Sequence, residues 1–313
     1  MRAAPRLAAA VDVGGTRTKV GIVAEDGRLV RQGTIPTSAR GEPAPLVDGI
    51  AAALRPMLDE AAAEGSSVAG AGVAVAGFLD RAHEAMVGNA NLPELCHFPL
   101  RRALEERLGL ECHLEVDSNA STVAEYRHGA GRGAARLLGV TVGTGLGGGV
   151  IVDGALLRYT GECAGDLGHV ILDPEGRRCS CGARGCLEAL VCSAALSERA
   201  EGRAVREVVN GAYRGDPLAV EALAETGRWL GLGLASLAPL FAPDTIVVGG
   251  GVAAAGDLLL EPARASFRAH AAPELAERMR VVGSSFDGWE GMIGAASLFL
   301  APEARRPSGD HER

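Results

Sequence analysis

The sequence has few aromatic residues and little positive charge. Only 4% of its 313 residues are aromatic, namely 2 Trp, 3 Tyr and 6 Phe, too few for a platform that stacks bases or for an aromatic sugar-binding cleft. Lys19 is the single lysine, and since arginine runs evenly along the chain we attribute this to genome composition. The 31 basic and 39 acidic residues give a net charge of −8, the wrong sign for binding phosphate backbones. We therefore exclude nucleic acid as a main partner.

Long hydrophobic runs are also missing. No segment approaches the roughly 18 uninterrupted apolar residues of a membrane helix. The apolar run that follows Arg6 is interrupted by Asp12, before it reaches the length of a signal peptide. We expect a cytoplasmic protein without a membrane partner.

Cysteines are placed too unevenly for a disulfide framework. Three of the seven lie within the eight residues 179–186, which indicates a metal site. Together with His169, the thiols of Cys179, Cys181 and Cys186 match a closed tetrahedral zinc site. Four protein ligands leave no open position for water, so this zinc would be structural. Buried free thiols are the less favoured alternative.

The other cysteines and histidines show no ligand spacing. We interpret the isolated cysteines as core residues, namely Cys96, Cys112, Cys163 and Cys192. For the isolated histidines we expect surface or capping roles, namely His83, His97, His113, His128, His270 and His311.

Glycine, by contrast, is abundant, and it is concentrated in two similar segments. The chain has 44 glycines, about twice the usual share. Residues 7–30 contain an apolar run, the bend Gly14–Gly15, a second apolar run and the turn Asp26–Gly27. Residues 137–157 repeat this order around a second bend and end in the turn Asp153–Gly154. The repeat indicates an internal duplication with one unit in each of two domains.

The rest of the chain alternates between strand and helix patterns, which predicts the α/β class. Further strands are expected at 68–77, 111–116 and 245–251, and helices at 45–64, 99–109, 117–126, 216–240 and 291–300.

The two bends are interpreted as phosphate-binding loops. Residues 143–148 fit GxGxxG, but a strand follows them where a dinucleotide fold requires a helix. A Walker pattern is absent, so a P-loop fails on spacing. What remains is a glycine bend that lets backbone N–H groups approach a phosphate. A plain β-bulge would explain one such bend equally well, but two bends of the same kind favour phosphate binding.

Two aspartates stand where strands end. Asp12 precedes the first bend and would hold Mg²⁺ there through water, whereas a simple turn aspartate is the alternative. Asp117 lies between a strand and a helix, which suits a general base for phosphoryl transfer. A helix N-cap is an equally good interpretation of Asp117 from its placement alone.

Five motifs closely resemble the ROK family, which groups bacterial sugar kinases, related repressors and similar enzymes. In order over about residues 8 to 300 they are DVGGT at 12–16, TVGTGLGGG at 141–149, GDLGH at 165–169, CSCGARGCLEA at 179–189 and IVVGGGV at 246–252. ROK repressors carry an added DNA-binding segment before the first bend, for which this sequence has no room, so the resemblance implies the kinase branch.

The resemblance implies a two-domain, actin-like or hexokinase-like ATPase fold with duplicated, ribonuclease H-like α/β domains. The small domain would comprise residues 1–116 and about 291–305, and the large domain residues 117–290 with a zinc loop at 169–186. Residues 306–313 are expected to be a disordered tail. The family usually forms homodimers or homotetramers.

The resemblance also implies roles for single residues, with ATP, Mg²⁺ and structural zinc as cofactors. Asp12 matches the Mg²⁺ position, and Asp117 matches the base that takes a proton from the sugar's primary hydroxyl. His169 would serve both the zinc and the sugar. The positions matched to ATP phosphates are Gly14, Gly15, Thr16, Thr144 and Gly145, those matched to adenosine are Gly249, Gly250 and Gly251, and those matched to sugar hydroxyls are Gly77, His169 and Glu188.

This sequence departs from the family pattern at two positions that contact the sugar. Val116 replaces an asparagine that would bind a ring hydroxyl, the 3-hydroxyl in our interpretation, and Asp166 replaces a longer glutamate. Because a site that pairs a hydroxyl can discriminate by about 10⁴ or more, we expect a modified substrate: a 3-amino sugar such as kanosamine, or a C7 cyclitol. Ordinary glucose is the alternative, since backbone or water contacts can replace the asparagine.

Two other functions stay open at this point. A regulator that binds a sugar without phosphorylating it would also explain the two changed sugar-binding positions. A ribokinase-type enzyme is less favoured, because the sequence AGD at 164–166 and 255–257 lacks the preceding glycine and the cysteine loop would go unexplained.

Overall fold

The computed structural model describes residues 5–37, 42–88, 92–158 and 166–301. Strands and helices alternate along them, which confirms the α/β class. The strands are β1 Leu7–Val13, β2 Arg17–Ala24, β3 Leu29–Pro36, β4 Val68–Val75, β5 Phe78–Leu79, β6 Met86–Gly88, β7 Cys112–Val116, β8 Arg136–Val142, β9 Leu146–Val152, β10 Ala155–Leu156, β11 Thr245–Gly249 and β12 Arg280–Gly283. The helices are α1 Ala44–Ala63, α2 Leu100–Leu108, α3 Asp117–His128, α4 Leu187–Val191, α5 Ser193–Arg199, α6 Val205–Tyr213, α7 Pro217–Phe241, α8 Asp257–His270, α9 Pro273–Arg278 and α10 Glu290–Leu300.

Two five-stranded sheets share one topology. The first has the order β3-β2-β1-β4-β7 and the second the order β10-β9-β8-β11-β12. In both, the first three strands of that order are antiparallel and the last three are parallel. This equivalence confirms the internal duplication expected of a hexokinase-like, actin-like ATPase fold.

Glycine, proline and aspartate residues mark the ends of three helices. Gly65 and Gly109 follow α1 and α2 with φ of +76° and +69°, a left-handed conformation that glycine adopts without strain. Pro99 precedes α2, and the Asp216 carboxylate accepts hydrogen bonds from two backbone N–H groups in the first turn of α7. Among the described helices, none is both long and apolar enough to cross a membrane.

Each sheet packs into its own hydrophobic core. Strands β1, β2, β4 and β7 bury their side chains against α1 and α2, and the cluster includes Ile22, Ile50 and Leu104. The second core joins β8, β9 and β11 to α4, α7 and α8, and includes Leu230 and Phe267. Two separate cores are what two domains require.

Helices α3 and α10 lie together between the two sheets. Ala120 of α3 is buried against Ala74 of the first sheet, whereas Val123 of α3 packs in a cluster with Leu298 of α10 and residues of the second sheet. The two helices approach so closely that a Cβ atom on Gly294 would lie 1.7 Å from the Ala120 carbonyl oxygen. Only glycine fits at this contact, and α10 also packs on β1 and β4.

We expect Gly294→Ala to lower the melting temperature strongly, because overpacking a close backbone contact costs about 1–3 kcal/mol or more. Gly49→Ala is the matched control in α1: its Cβ would meet Ile35 at an ordinary 3.6 Å. That variant should keep or raise the melting temperature, since alanine stabilises a helix interior by up to about 1 kcal/mol. Equal melting temperatures for both variants would contradict the close contact.

Candidate active site

A cleft of about 590 Å³ opens at the strand ends of both sheets. It brings together most residues that the sequence predicts for the site. The predicted residues that line it are Gly14, Gly15, Gly77, Val116, Asp117, Thr144, Gly145, Asp166, His169 and Glu188.

The two glycine bends face this cleft from equivalent hairpins. In the first, Gly14 N–H donates to the Arg17 carbonyl at 3.2 Å, and a Cβ on Gly14 would lie 2.9 Å from that same oxygen. In the second, Gly143 N–H donates to the Gly145 carbonyl at 2.9 Å. Backbone without side chains therefore lies at both bends, as phosphate binding requires.

Asp117 is the first residue of α3, which rules out the N-cap interpretation. The N-cap position belongs to Val116, whose backbone is extended, and no side chain caps this helix. The Asp117 carboxylate instead accepts a hydrogen bond from Ser118 N–H at 2.7 Å. Burial, reinforced by the nearby Asp12 carboxylate, raises the pKa of Asp117 to about 7. A carboxylate tuned in this way is suited to accept a proton near neutral pH.

Asp12 forms an ion pair that the sequence analysis missed. Lys19 faces Asp12 across the β1–β2 hairpin, and its Nζ donates to Asp12 Oδ2 at 2.9 Å. The strand register is the signal that could have found this pair, because directly opposed residues on one face interact. Next to Asp12 is Glu290, a buried acid at the start of α10, whose pKa burial also raises.

The predicted zinc ligands lie together in one cluster. All ligand atoms of His169, Cys179, Cys181 and Cys186 are within 4.8 Å of one another. Cys181 Sγ and Cys186 Sγ are 3.7 Å apart, and Cys179 Sγ is 3.5 Å from His169 Nδ1. Around a tetrahedral zinc the corresponding separations are about 3.8 and 3.5 Å. These residues therefore fit the ion in number, chemistry and spacing.

The cysteine loop is tied directly to the cleft. His169 directs Nδ1 to the thiol cluster and Nε2 to Asp166 Oδ2, 3.3 Å away. Glu188 accepts hydrogen bonds at 2.9 Å from Ser180 in the loop and from Leu146 N–H after the second bend. The cysteine–histidine cluster, the side chains expected to bind sugar and the second glycine bend thus form one connected unit.

Some predicted residues lie outside the lining of the cleft. Thr16 is exposed next to the first bend, and Asp12 lies behind it. Gly249 ends β11, and Gly250 and Gly251 follow it. Gly250 has φ of +90°, and a Cβ on it would lie 2.4 Å from the carbonyl oxygen of Val142. Of the isolated cysteines, Cys112 and Cys192 are buried as predicted, and Cys96 is half-buried. Cys163, His311 and the predicted tail 306–313 lie outside the described residues.

Comparison with known proteins decides the family. The model of the ROK family matches residues 8–301. This chain belongs to the ROK family. A glucokinase of Streptomyces coelicolor is 33% identical over 320 residues, covering 95% of this chain and 98% of the relative. An N-acetylmannosamine kinase of Escherichia coli is 32% identical over 247 residues, covering 78% and 82%.

A solved structure agrees with this placement. The ROK family glucokinase of Streptomyces griseus, in complex with glucose and AMPPNP, has a TM-score of 0.83 at 34% identity, covering 93% of this chain and 98% of that one. The ROK-family chain described here is an ATP-dependent sugar kinase, and the alternatives of a non-catalytic regulator and a ribokinase-type enzyme are set aside.

One expectation about this ROK kinase is wrong. His83 and His113 are not isolated: with Glu115 they form a second cluster of potential metal ligands within 4.8 Å of one another. Glu115 is buried and pairs with Arg158, and His83, Glu115 and Arg158 also line the cleft. Spacing along the chain could not show this, because His83 is 30 residues from His113.

Proposed function

We propose that this kinase transfers the γ-phosphate of ATP to the primary hydroxyl of a hexose or hexose-like acceptor, with Asp117 as the general base. The observation that carries the proposal is the raised pKa of Asp117, about 7, in a cleft with a glycine bend from each sheet. In the transfer, the hydroxyl oxygen bonds to the γ-phosphorus while Asp117 takes its proton. The bond from the γ-phosphorus to the bridging oxygen breaks, and ADP leaves.

The protein's part in such a transfer is mainly positioning and charge neutralisation. Gly14 and Gly15 of the first bend, with Thr16 beside them, and Thr144 and Gly145 of the second would lie against the phosphates, because glycine lets the backbone approach closely. The adenosine would lie against Gly249, Gly250 and Gly251, of which Gly250 packs on Val142 at the end of β8.

Asp12 would hold Mg²⁺ when the nucleotide binds. A carboxylate oxygen is the type of ligand that Mg²⁺ prefers, and this ion keeps several of its waters. The Lys19 ammonium already neutralises part of the Asp12 charge, which favours contact through water. Bound there, the ion would neutralise charge on the phosphates.

For the acceptor we propose a modified hexose, such as the 3-amino sugar kanosamine, or a C7 cyclitol. Val116 lines the cleft directly before the catalytic base, and its apolar side chain cannot pair with a sugar hydroxyl. Asp166 is held close by its contact with His169 and is one methylene shorter than the family's glutamate. Gly77 and Glu188, the other positions matched to sugar hydroxyls, also line the cleft.

Ordinary glucose is the second candidate acceptor. It is favoured by the relatives at 33% and 34% identity that are named glucokinases. In that case a backbone group or water replaces the contact that Val116 cannot make.

A structural zinc on His169, Cys179, Cys181 and Cys186 is also proposed. The spacing of the sulfur and nitrogen atoms supports it. Asp166 next to His169 Nε2 supports it too, because ligating histidines commonly pair their second nitrogen with a carboxylate. Zinc would hold the loop that leads into α4, and Glu188 of α4 contacts the second bend.

Two further properties are inferred from the family. We expect a homodimer or homotetramer, and we expect the small domain to combine residues 1–116 with about 291–305. The packing of α10 on β1 and β4 supports this division over the described part of that range.

The acceptor is tested by ADP release over a panel of glucose, amino hexoses and C7 cyclitols. We expect a higher kcat/KM for a modified acceptor than for glucose. Val116→Asn should raise kcat/KM for glucose about tenfold or more, since it restores a partner for a hydroxyl. Val116→Ala removes bulk without adding a hydrogen-bonding partner, so it should not raise kcat/KM for glucose. Glucose as the best substrate, with no gain in Val116→Asn, would overturn the modified acceptor in favour of ordinary glucokinase activity.

The zinc is tested by metal analysis and thermal melting. We expect one zinc per chain in the purified enzyme, loss of that zinc in Cys181→Ser, and a lower melting temperature, because a structural metal contributes directly to folding. Cys192→Ser is the control: this buried thiol is not part of the cluster, so its zinc content should be unchanged. Well under one zinc per chain in the unaltered enzyme would refute the proposal.

A further inference from the structure

A second group of metal-ligating side chains lies along the cleft wall, apart from the cysteine loop. It consists of His83, His113 and Glu115, whose ligand atoms are all within 4.8 Å of one another. None of these residues belongs to the phosphate bends or the cysteine loop.

The fold brings these three side chains together by simple geometry. His113 and Glu115 are two residues apart on β7, so they extend from the same face of the sheet. His83 lies in the turn between β5 and β6, where its backbone has φ of +54° and its N–H donates to the Asp80 carbonyl at 3.0 Å. A histidine in this left-handed conformation is uncommon, and the turn directs it to β7.

The His83 ring is oriented as a ligand would be. Its Nδ1 is 2.9 Å from the backbone carbonyl oxygen of Leu114, an acceptor only, so Nδ1 carries the proton. Nε2 then has a free lone pair in the neutral ring. Metal-binding histidines are commonly held in this way, with the second nitrogen donating to a backbone carbonyl.

His113 supplies a nitrogen with no other use. Its Nε2 is buried and has no hydrogen-bond partner among the residues that the structure describes. An unsatisfied buried polar atom costs about 1–3 kcal/mol, and native proteins rarely leave one unexplained. A bound cation would satisfy it.

Glu115 supplies the charge. Its side chain is only 1% exposed. Oε1 accepts from Val116 N–H and from Asn119 Nδ2, each at 3.0 Å, while Oε2 accepts from the Arg158 guanidinium. A carboxylate has about four lone-pair positions, so Oε2 can still bind an ion.

We propose that His83, His113 and Glu115 bind one divalent transition-metal ion, such as Zn²⁺, Co²⁺ or Ni²⁺. Two imidazoles and one carboxylate are a recurrent set for these metals, with a further position left open. Neighbouring ligands of a tetrahedral ion lie about 3.4 Å apart, and these ligand atoms are within 4.8 Å of one another. Because His83 and Glu115 line the cleft, the open position would face the cleft. The ion would link the β5–β6 turn, through His83, to β7. Its ligand Glu115 on β7 lies two residues before Asp117.

Cobalt distinguishes this site from the cysteine loop. Cobalt bound by thiolates absorbs strongly through charge transfer, whereas cobalt on imidazole and carboxylate gives only weak d–d bands. The zinc-loaded enzyme is titrated with Co²⁺ without ATP or sugar, and bound metal is counted after desalting. We expect one additional cobalt per chain, weak d–d bands, and a rise in melting temperature from binding to the folded state.

Variants locate the ion. His83→Asn removes the imidazole while asparagine tolerates the left-handed backbone, and His113→Phe removes the unpaired nitrogen. Both should weaken cobalt binding at least tenfold and abolish the melting shift. His97→Asn is the matched control, since His97 is an exposed histidine with φ of +61° on the segment that follows β6; it should bind as the unaltered enzyme does.

Three results would overturn the proposal: no additional cobalt, cobalt that shows only thiolate charge transfer, or equal binding in His83→Asn and His97→Asn. Should His113→Phe fail to fold, the comparison of the His83 and His97 variants still decides the matter. Because no substrate is present, the result does not depend on the proposed acceptor or on turnover.

Discussion

The close contact between α3 and α10 is the constraint on which the site depends. Asp117 begins α3, and Glu290 begins α10 beside Asp12. The missing side chain of Gly294 lets α10 lie against the Ala120 carbonyl. Since both helices pack between the sheets, this contact fixes the Asp117 carboxylate, the proposed base, relative to the two glycine bends.

Placing Asp117 there has a cost for the fold. Its pKa is raised from 3.8 to about 7, so the folded protein holds this proton more tightly than the unfolded chain. Stability from this group is therefore greatest in acid and is lost as the pH rises from about 4 to about 7. Near neutral pH the charged form of Asp117, which the proposed reaction requires, is therefore less favourable for the fold than the protonated form, and such raised pKa values are common in active sites.

The features that could be predicted from the sequence are those whose residues lie close together along the chain. Both glycine bends, Asp117 at a strand end and the ligands Cys179–Cys186 with His169 could be predicted, because each lies within one short segment. The Asp12–Lys19 pair required the register of a hairpin, which spacing alone did not supply. The short strands β5 and β6 escaped prediction, and with them the turn that carries His83 to β7. Periodicity cannot show two- or three-residue strands, so the cluster of His83, His113 and Glu115 could be seen only in the structure.

The central claim is that Asp117 accepts the proton from the acceptor. The most direct measurement is kcat/KM against pH for the unaltered enzyme and for Asp117→Asn, with ATP saturating. Because the base acts when deprotonated, the unaltered enzyme should gain activity as the pH rises and level off above an inflection set by Asp117. Asp117→Asn should lose nearly all activity together with this inflection. A profile that is flat from about pH 5.5 to 9, or an asparagine variant that keeps the full rate, would contradict the account.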